Sequence, residues 1–176
     1  MPNDIKMDKT PKGTPSTPEI YQPRGGKDRY YIGIDPGTKG AAMLINRNGY
    51  VDHVDFEDGF AAAARWFITT AALYSPALTV LESVHAMPRQ GVSSTFKFGR
   101  AAGWAQGILD GLCLPYLMVR PQEWQKGLIP RKTGAKDKPS LEVARRLFPT
   151  APLNRKKDHD RADAILLARY ASLHNG

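Results

Sequence analysis

The sequence predicts an α/β domain of three layers, a five-stranded mixed sheet flanked by helices. Two observations lead there. Three short apolar runs follow one another closely near the start, joined by turn residues, as antiparallel hairpins require. After them the pattern alternates helix, strand, helix, strand and then closing helices, and each later strand is reached by a helical crossover that sets it parallel to the first.

The elements can be taken in order. Residues 1–29 hold Pro2, Pro11, Pro15, Pro18 and Pro23 among polar residues, and cannot bury enough surface to offset their ordering entropy; they read as a flexible tail. The domain then runs from 30 to 176. Strands are expected at 30–35, 41–46 and 51–56, with Pro36-Gly37 and Asn46-Arg-Asn-Gly49 as turns. A helix over 59–75 follows from Phe60, Ala64, Phe67 and Leu73 at helical spacing, and Pro76 stops it. Residues 77–82 form the fourth strand. A polar loop leads to a long helix over 94–112, and 116–119 is the fifth strand. Pro121-Gln-Glu-Trp124 reads as a helical turn, 127–137 as a basic loop, and 138–148 as a basic amphipathic helix ended by Pro149. The last helix starts near Asp158.

Composition narrows the partners. At 176 residues, with 41% hydrophobic and 24% charged, the chain is an ordinary soluble domain with room for a core. The single Cys113 excludes an internal disulfide and a cysteine metal cage, so the expected home is cytoplasm or another reducing, DNA-containing compartment. No apolar run is long enough to span a membrane, the N-terminus lacks the apolar core of a signal peptide, and no small-molecule cofactor is expected. The net charge is +8. Between Arg120 and Arg161 twelve basic residues stand against five acidic ones, so nearly all of the excess lies in one quarter of the chain. A polyanionic partner explains that clustering; a solvated face kept for solubility is the plainer alternative.

Acids end two of the expected strands. Asp35 closes the first and Glu82 the fourth, and if those strands are parallel neighbours both carboxylates emerge at one sheet edge, where ligands of open α/β sheets bind. Asp160 and Asp163, three apart at the start of the last helix, share one face of it. Taken singly each has a plain explanation: a turn former, a partner for a lysine, a helix cap at Asp158 or Asp160. Together, four converging carboxylates repel unless hard divalent cations bind them, and Mg²⁺ or Mn²⁺ suits such oxygen ligands.

Ile32-Gly-Ile-Asp-Pro-Gly37, Leu81-Glu-Ser83, Ser94-Thr-Phe-Lys-Phe-Gly-Arg-Ala-Ala-Gly103 and Asp160-Arg-Ala-Asp-Ala164 resemble the RuvC-type Holliday junction resolvases, of the RNase H-like nuclease superfamily. The resemblance runs from about Tyr30 to the C-terminus. The loop from Met87 to Thr95 and Pro121-Gln-Glu-Trp-Gln-Lys126 look closer to phage and plastid members than to the bacterial enzyme. The resemblance implies an RNase H-like fold, with Asp35, Glu82, Asp160 and Asp163 as metal-binding catalytic acids. It also implies Mg²⁺ dependence, a homodimer, and paired nicks in opposing strands of a four-way junction, hence work in DNA recombination and repair. Two ions about 4 Å apart would grip the scissile phosphate, one activating a water and the other stabilising the leaving oxygen.

By the same resemblance Lys126, and Lys136 or Lys138, match positions that carry basic residues near the phosphate, where an ammonium stabilises developing charge; simple backbone contact is the alternative. Arg89 and Gln90 join them as expected DNA contacts. Bacterial members place an aromatic wedge three residues after the fourth-strand acid, where this chain has His85, followed by Met87.

Gly99, Gly103, Gly107 and Gly111 recur every four residues on the long helix, each costing it about 1 kcal/mol against alanine. They form a smooth stripe, either packed on the domain's own sheet or, as the resemblance implies, at a dimer interface with Phe96, Phe98 and Trp104. Two rival functions remain open. One is a nuclease of this fold acting on RNA–DNA hybrids, flaps or structured RNA; the other is a junction-binding module without catalysis. Residues 33–40 also resemble the phosphate loop of sugar-kinase and actin-like ATPases, but those need two such lobes and this chain has room for one.

Overall fold

The computed structural model describes residues 28–37, 39–83, 91–130 and 138–175. The strands are β1 (Tyr31–Asp35), β2 (Ala41–Asn46), β3 (Gly49–Asp55), β4 (Leu78–Glu82) and β5 (Tyr116–Val119). The helices are α1 (Phe60–Tyr74), α2 (Val92–Gly111), the single turn α3 (Pro121–Trp124), α4 (Pro139–Leu147) and α5 (His159–His174). The sheet order is β3-β2-β1-β4-β5. β1, β2 and β3 are antiparallel, while β4 lies parallel to β1 and β5 parallel to β4.

The predicted sheet is therefore the observed one, with small shifts. β3 starts at Gly49, whose φ of +126° suits only glycine, and its pairing slips once between Leu44 and Ile45. Phe56 leaves the strand for a 3-10 turn (Phe56–Asp58). α1 differs more. Its inward face is Ala63, Phe67 and Thr70, and Leu73, expected inside, is 68% exposed. Alanines on both sides of this helix leave the apolar stripe ambiguous in the sequence, and Ser75, left-handed at φ 49°, closes the helix before Pro76.

Alternation along β1 splits the core into two layers. Ile32 and Ile34 join Leu44, Leu81, Phe67 and Leu109 under α1 and α2. Tyr31, Met43, Val80 and Val119 join Trp124 and α5 on the other face. α5 is the most enclosed helix, with Ala162, Ala164, Ile165, Leu166, Leu167, Ala168 and Ala171 all buried. It can lie flat on β1 because the strand offers no side chain there. A Cβ on Gly33 would sit 2.0 Å from the Ala164 carbonyl oxygen and 2.2 Å from the Ala168 nitrogen. Of the predicted tail only residues 28 and 29 are described, and both are tied to the domain: Asp28 pairs with Arg47 at 2.8 Å, and Arg29 Nη1 donates to the Asn175 carbonyl at 2.7 Å.

Candidate active site

β1 and β4 are adjacent and parallel, with Ile34 opposite Leu81, so Asp35 and Glu82 leave the sheet side by side. The chain turns at once after Asp35. The Gly37 N–H donates to Asp35 Oδ1 at 3.0 Å, and the Gly40 N–H to the Gly37 carbonyl at 2.9 Å. A carboxylate reaching two residues on to its own backbone is the ordinary Asx turn, and here it also fixes the acid. Asp35 is 9% exposed, and its carboxyl is held well above the usual range, first by burial and then by the charges of Glu82, Asp163 and Asp160. The other three predicted acids are thus within electrostatic reach of Asp35.

The other three are raised as well, burial being the largest cause in each. Glu82 also feels Asp163, and against this it accepts a 2.8 Å hydrogen bond from the Trp124 indole N–H. Asp163 is held down in part by a hydrogen bond with Ser140, at the start of α4. Asp160 lies 3.2 Å from His159 Nε2. Among the described residues Asp35, Glu82 and Asp163 form no ion pair within 4 Å.

Such a donor set, oxygen-only, rich in carboxylates and partly desolvated, fits a hard divalent cation. As they stand, no three His, Cys, Asp or Glu side chains among the described residues are drawn around one point to hold an ion. The acids are neighbours without converging, the arrangement that mutual repulsion favours.

Around the acids the basic residues divide. Lys138, exposed before α4, lowers Glu82, Asp160 and Asp163 by its charge. Lys126 is exposed on the turn after α3. Three arginines of the basic quarter serve the fold instead. Arg161 binds Asp55, Arg155 binds Asp158 through its backbone N–H and Nε, each at 2.7 Å, and Arg145 donates to the Leu153 carbonyl at 2.6 Å. Asp158 is accordingly not a side-chain cap of α5, although it stands at the N-cap position. Lys39 pairs with Glu57 at 3.2 Å. His85, Met87, Arg89, Gln90 and Lys136 lie outside the described residues.

Among the described residues the glycine stripe meets no neighbour: a Cβ on Gly99, Gly103, Gly107 or Gly111 would find nothing within 4 Å, and Phe96 beside them is 72% exposed. Trp104, also of the expected interface set, is partly buried: it stacks on Phe60 at 4.7 Å and meets Phe56 edge-on at 5.5 Å, against the layer under α1 and α2.

No family model matches this chain, and no curated protein matches its sequence. Solved structures do. Thermus thermophilus RuvC in complex with a Holliday junction substrate aligns with a TM-score of 0.56 at 16% identity, over 83% of this chain and 96% of that one. Another Thermus thermophilus RuvC structure aligns at 0.57 and 14%, over 83% and 97%. The chain has the RuvC fold. At this identity the likeness is one of architecture, and within the RuvC fold the acids are placed by this chain's own strands and helix.

Two contacts of the site escaped the sequence reading. In the sequence Trp124 is only part of a helical turn, yet its indole holds Glu82; Ser140 is one residue of a basic helix, yet it bonds Asp163. For Trp124 a signal existed: an aromatic residue one turn after a strand end, behind a proline that starts the turn.

Proposed function

We propose that this protein is a structure-selective DNA endonuclease that resolves four-way junctions by cutting phosphodiesters in opposing strands. The observation that carries the reading is the exit of Asp35 and Glu82 side by side from adjacent parallel strands, with Asp160 and Asp163 of α5 near enough for Asp35 to feel all three. Likeness to a RuvC bound to a Holliday junction substrate supports branched DNA as the substrate class.

Mg²⁺ is the expected ion, two per site, with Mn²⁺ substituting, and the four acids would hold it. Bound there, divalent cations neutralise a phosphodiester and make a water nucleophilic near neutral pH. The chain's own residues do the positioning. Asp35 is fixed by the Gly37 N–H, Glu82 by the Trp124 indole, and Asp163 by Ser140. Lys138 brings a positive charge to the same place, suited to a non-bridging phosphate oxygen and to the charge that develops on cleavage.

Cutting opposing strands asks for two sites related by a twofold axis. The exposed glycines of α2, with Phe96, supply a face on which a second copy can approach closely. Sedimentation with junction DNA tests this, and a monomer at every concentration would remove the dimer.

The decisive assay offers Mg²⁺ and four substrates: a four-way junction, a flap, an RNA–DNA hybrid and plain duplex. Symmetric nicks confined to the junction are expected. Preferential cutting of the hybrid would overturn the reading in favour of an RNase H-like activity. Junction binding without any cutting would leave a binding module.

A further inference from the structure

Trp124 is fully buried, and the path that brings it to Glu82 follows from the chain. β5 runs parallel to β4 with Val119 opposite Glu82, and the Ser83 N–H donates to the Val119 carbonyl at 2.8 Å. The chain therefore leaves β5 next to the acid. Pro121 starts a helical turn immediately, and one turn carries residue 124 back over the strand end. A buried indole N–H takes an acceptor wherever it finds one, and here the acceptor is a proposed metal ligand.

The bond uses only Oε1. Glu82 Oε2 has no hydrogen-bond partner among the described residues. An oxygen that already accepts the indole N–H is the poorer metal donor of the two, which favours ligation through Oε2 alone. Ca²⁺ accepts both oxygens of a carboxylate at flexible geometry, whereas Mg²⁺ demands a tight, near-octahedral set. Donors behind metal ligands commonly set affinity in this way.

We propose that Trp124 is a positioning residue that holds Glu82 as a one-oxygen ligand, so that its indole N–H tunes both the affinity of the site for Mg²⁺ or Mn²⁺ and its discrimination against Ca²⁺. This rests on the metal-site reading above. Trp124 touches neither substrate nor ion; it acts through Glu82. Trp66 provides an internal comparison, because its indole N–H also donates to a carboxylate, Asp52 Oδ2 at 2.8 Å, remote in role from the four acids.

The test uses the full chain without DNA. Calorimetric titration with Mg²⁺, Mn²⁺ and Ca²⁺ compares wild type with Trp124→Phe, which keeps an aromatic ring and loses the donor. Binding of Mg²⁺ and Mn²⁺ should weaken by about 10- to 100-fold, and that of Ca²⁺ by less. In ¹⁵N-labelled wild-type protein the Trp124 indole resonance should move during a Mg²⁺ titration while that of Trp66 stays still. This second measurement decides the matter if Trp124→Phe does not fold. Unchanged Mg²⁺ affinity in a folded Trp124→Phe, or a Trp124 resonance that ignores bound Mg²⁺, would overturn the role of Trp124 alone, provided that Asp35→Asn abolishes binding. Failure of the wild type to bind any of the three ions, or binding that Asp35→Asn leaves intact, would overturn the site itself and this role with it.

Discussion

Arg161 and Asp55 join the first turn of α5 to the end of β3, Arg161 gripping both carboxylate oxygens through Nε, at 2.7 Å, and Nη2. A third nitrogen, Nη1, donates to the Pro152 carbonyl at 3.0 Å. Asp160 and Asp163 flank Arg161 in sequence, so this clasp orients the turn that carries half of the acids. Each partner shifts the other in the expected sense, Arg161 lowering Asp55 and Asp55 raising Arg161.

Breaking the clasp should therefore cost stability and more than stability. With side chains 15% and 19% exposed, the pair is largely shielded, and Arg161→Ala or Asp55→Ala should lose about 3 kcal/mol. The double variant should lose clearly less than the sum, the mark of a direct pair. Urea unfolding of the three variants checks this; additive losses would show that the two residues act separately.

Gly33→Ala should be poorly tolerated. The new methyl would meet backbone atoms of α5 rather than movable side chains, so the helix must retreat, at a cost of about 1–3 kcal/mol. Because that retreat carries Asp160 and Asp163 away from Asp35, cleavage should fall further than stability predicts. Thermal unfolding paired with a cleavage assay at a temperature where the variant is folded separates the two losses. Full activity in a destabilised protein would contradict the argument.

The four acids make the metal-free protein pH-sensitive in a definite direction. Each carboxyl is raised in the folded state, so the native protein binds more protons than the unfolded chain. Their contribution is most favourable below the ordinary carboxylate range and is lost as pH rises through the raised values. Asp55 and Asp158 are lowered and work in the opposite sense, which makes the comparison with a variant cleaner than the wild-type curve. Asp35→Asn should gain melting temperature over wild type progressively as pH rises above the ordinary carboxylate range in chelator, by a few degrees for each ~1 kcal/mol. Mg²⁺ should close the gap, and junction cutting should fall by about 10³-fold or more, ~4 kcal/mol, with junction binding kept. A gap that ignores both pH and Mg²⁺ would count against the cluster.

Salt dependence should distinguish free cations from committed ones. Lys138, Lys156 and Lys157 are exposed, and replacing any one that meets a phosphate by Gln should reduce the slope of log affinity against log salt by about 1. Lys138→Gln is the variant expected to do so most reliably, because Lys138 already lies beside the acids. Its failure to change the slope would remove it from the DNA path.

Much of this was legible in the sequence because the signals were local. Asp35 and Glu82 are acids at the ends of apolar runs that strand order sets side by side, and Asp160 and Asp163 share one face of a helix. What was illegible was long-range or degenerate. Trp124 and Glu82 are 42 residues apart, and Arg161 and Asp55 are 106 apart; no local pattern pairs them, and Arg161 was counted with the free charge of the basic quarter. The stripe on α1 was misjudged at Leu73 because alanine and threonine read equally well inside and outside.

The glycine beneath α5 has one last consequence. In most cores the gap between a helix and a sheet is set by side chains, and it drifts when their sizes change. At Gly33 main chain rests on main chain, so the spacing there is a stop and not a cushion. Substitutions at Tyr170 or Ala171, further along α5, can loosen or tilt the far end of the helix, but the helix still bottoms out at the same height above β1 at Gly33. The distance from Asp35 to its partners on α5 is thus insulated from the ordinary wear of core replacement, which leaves the rest of the interior free to vary.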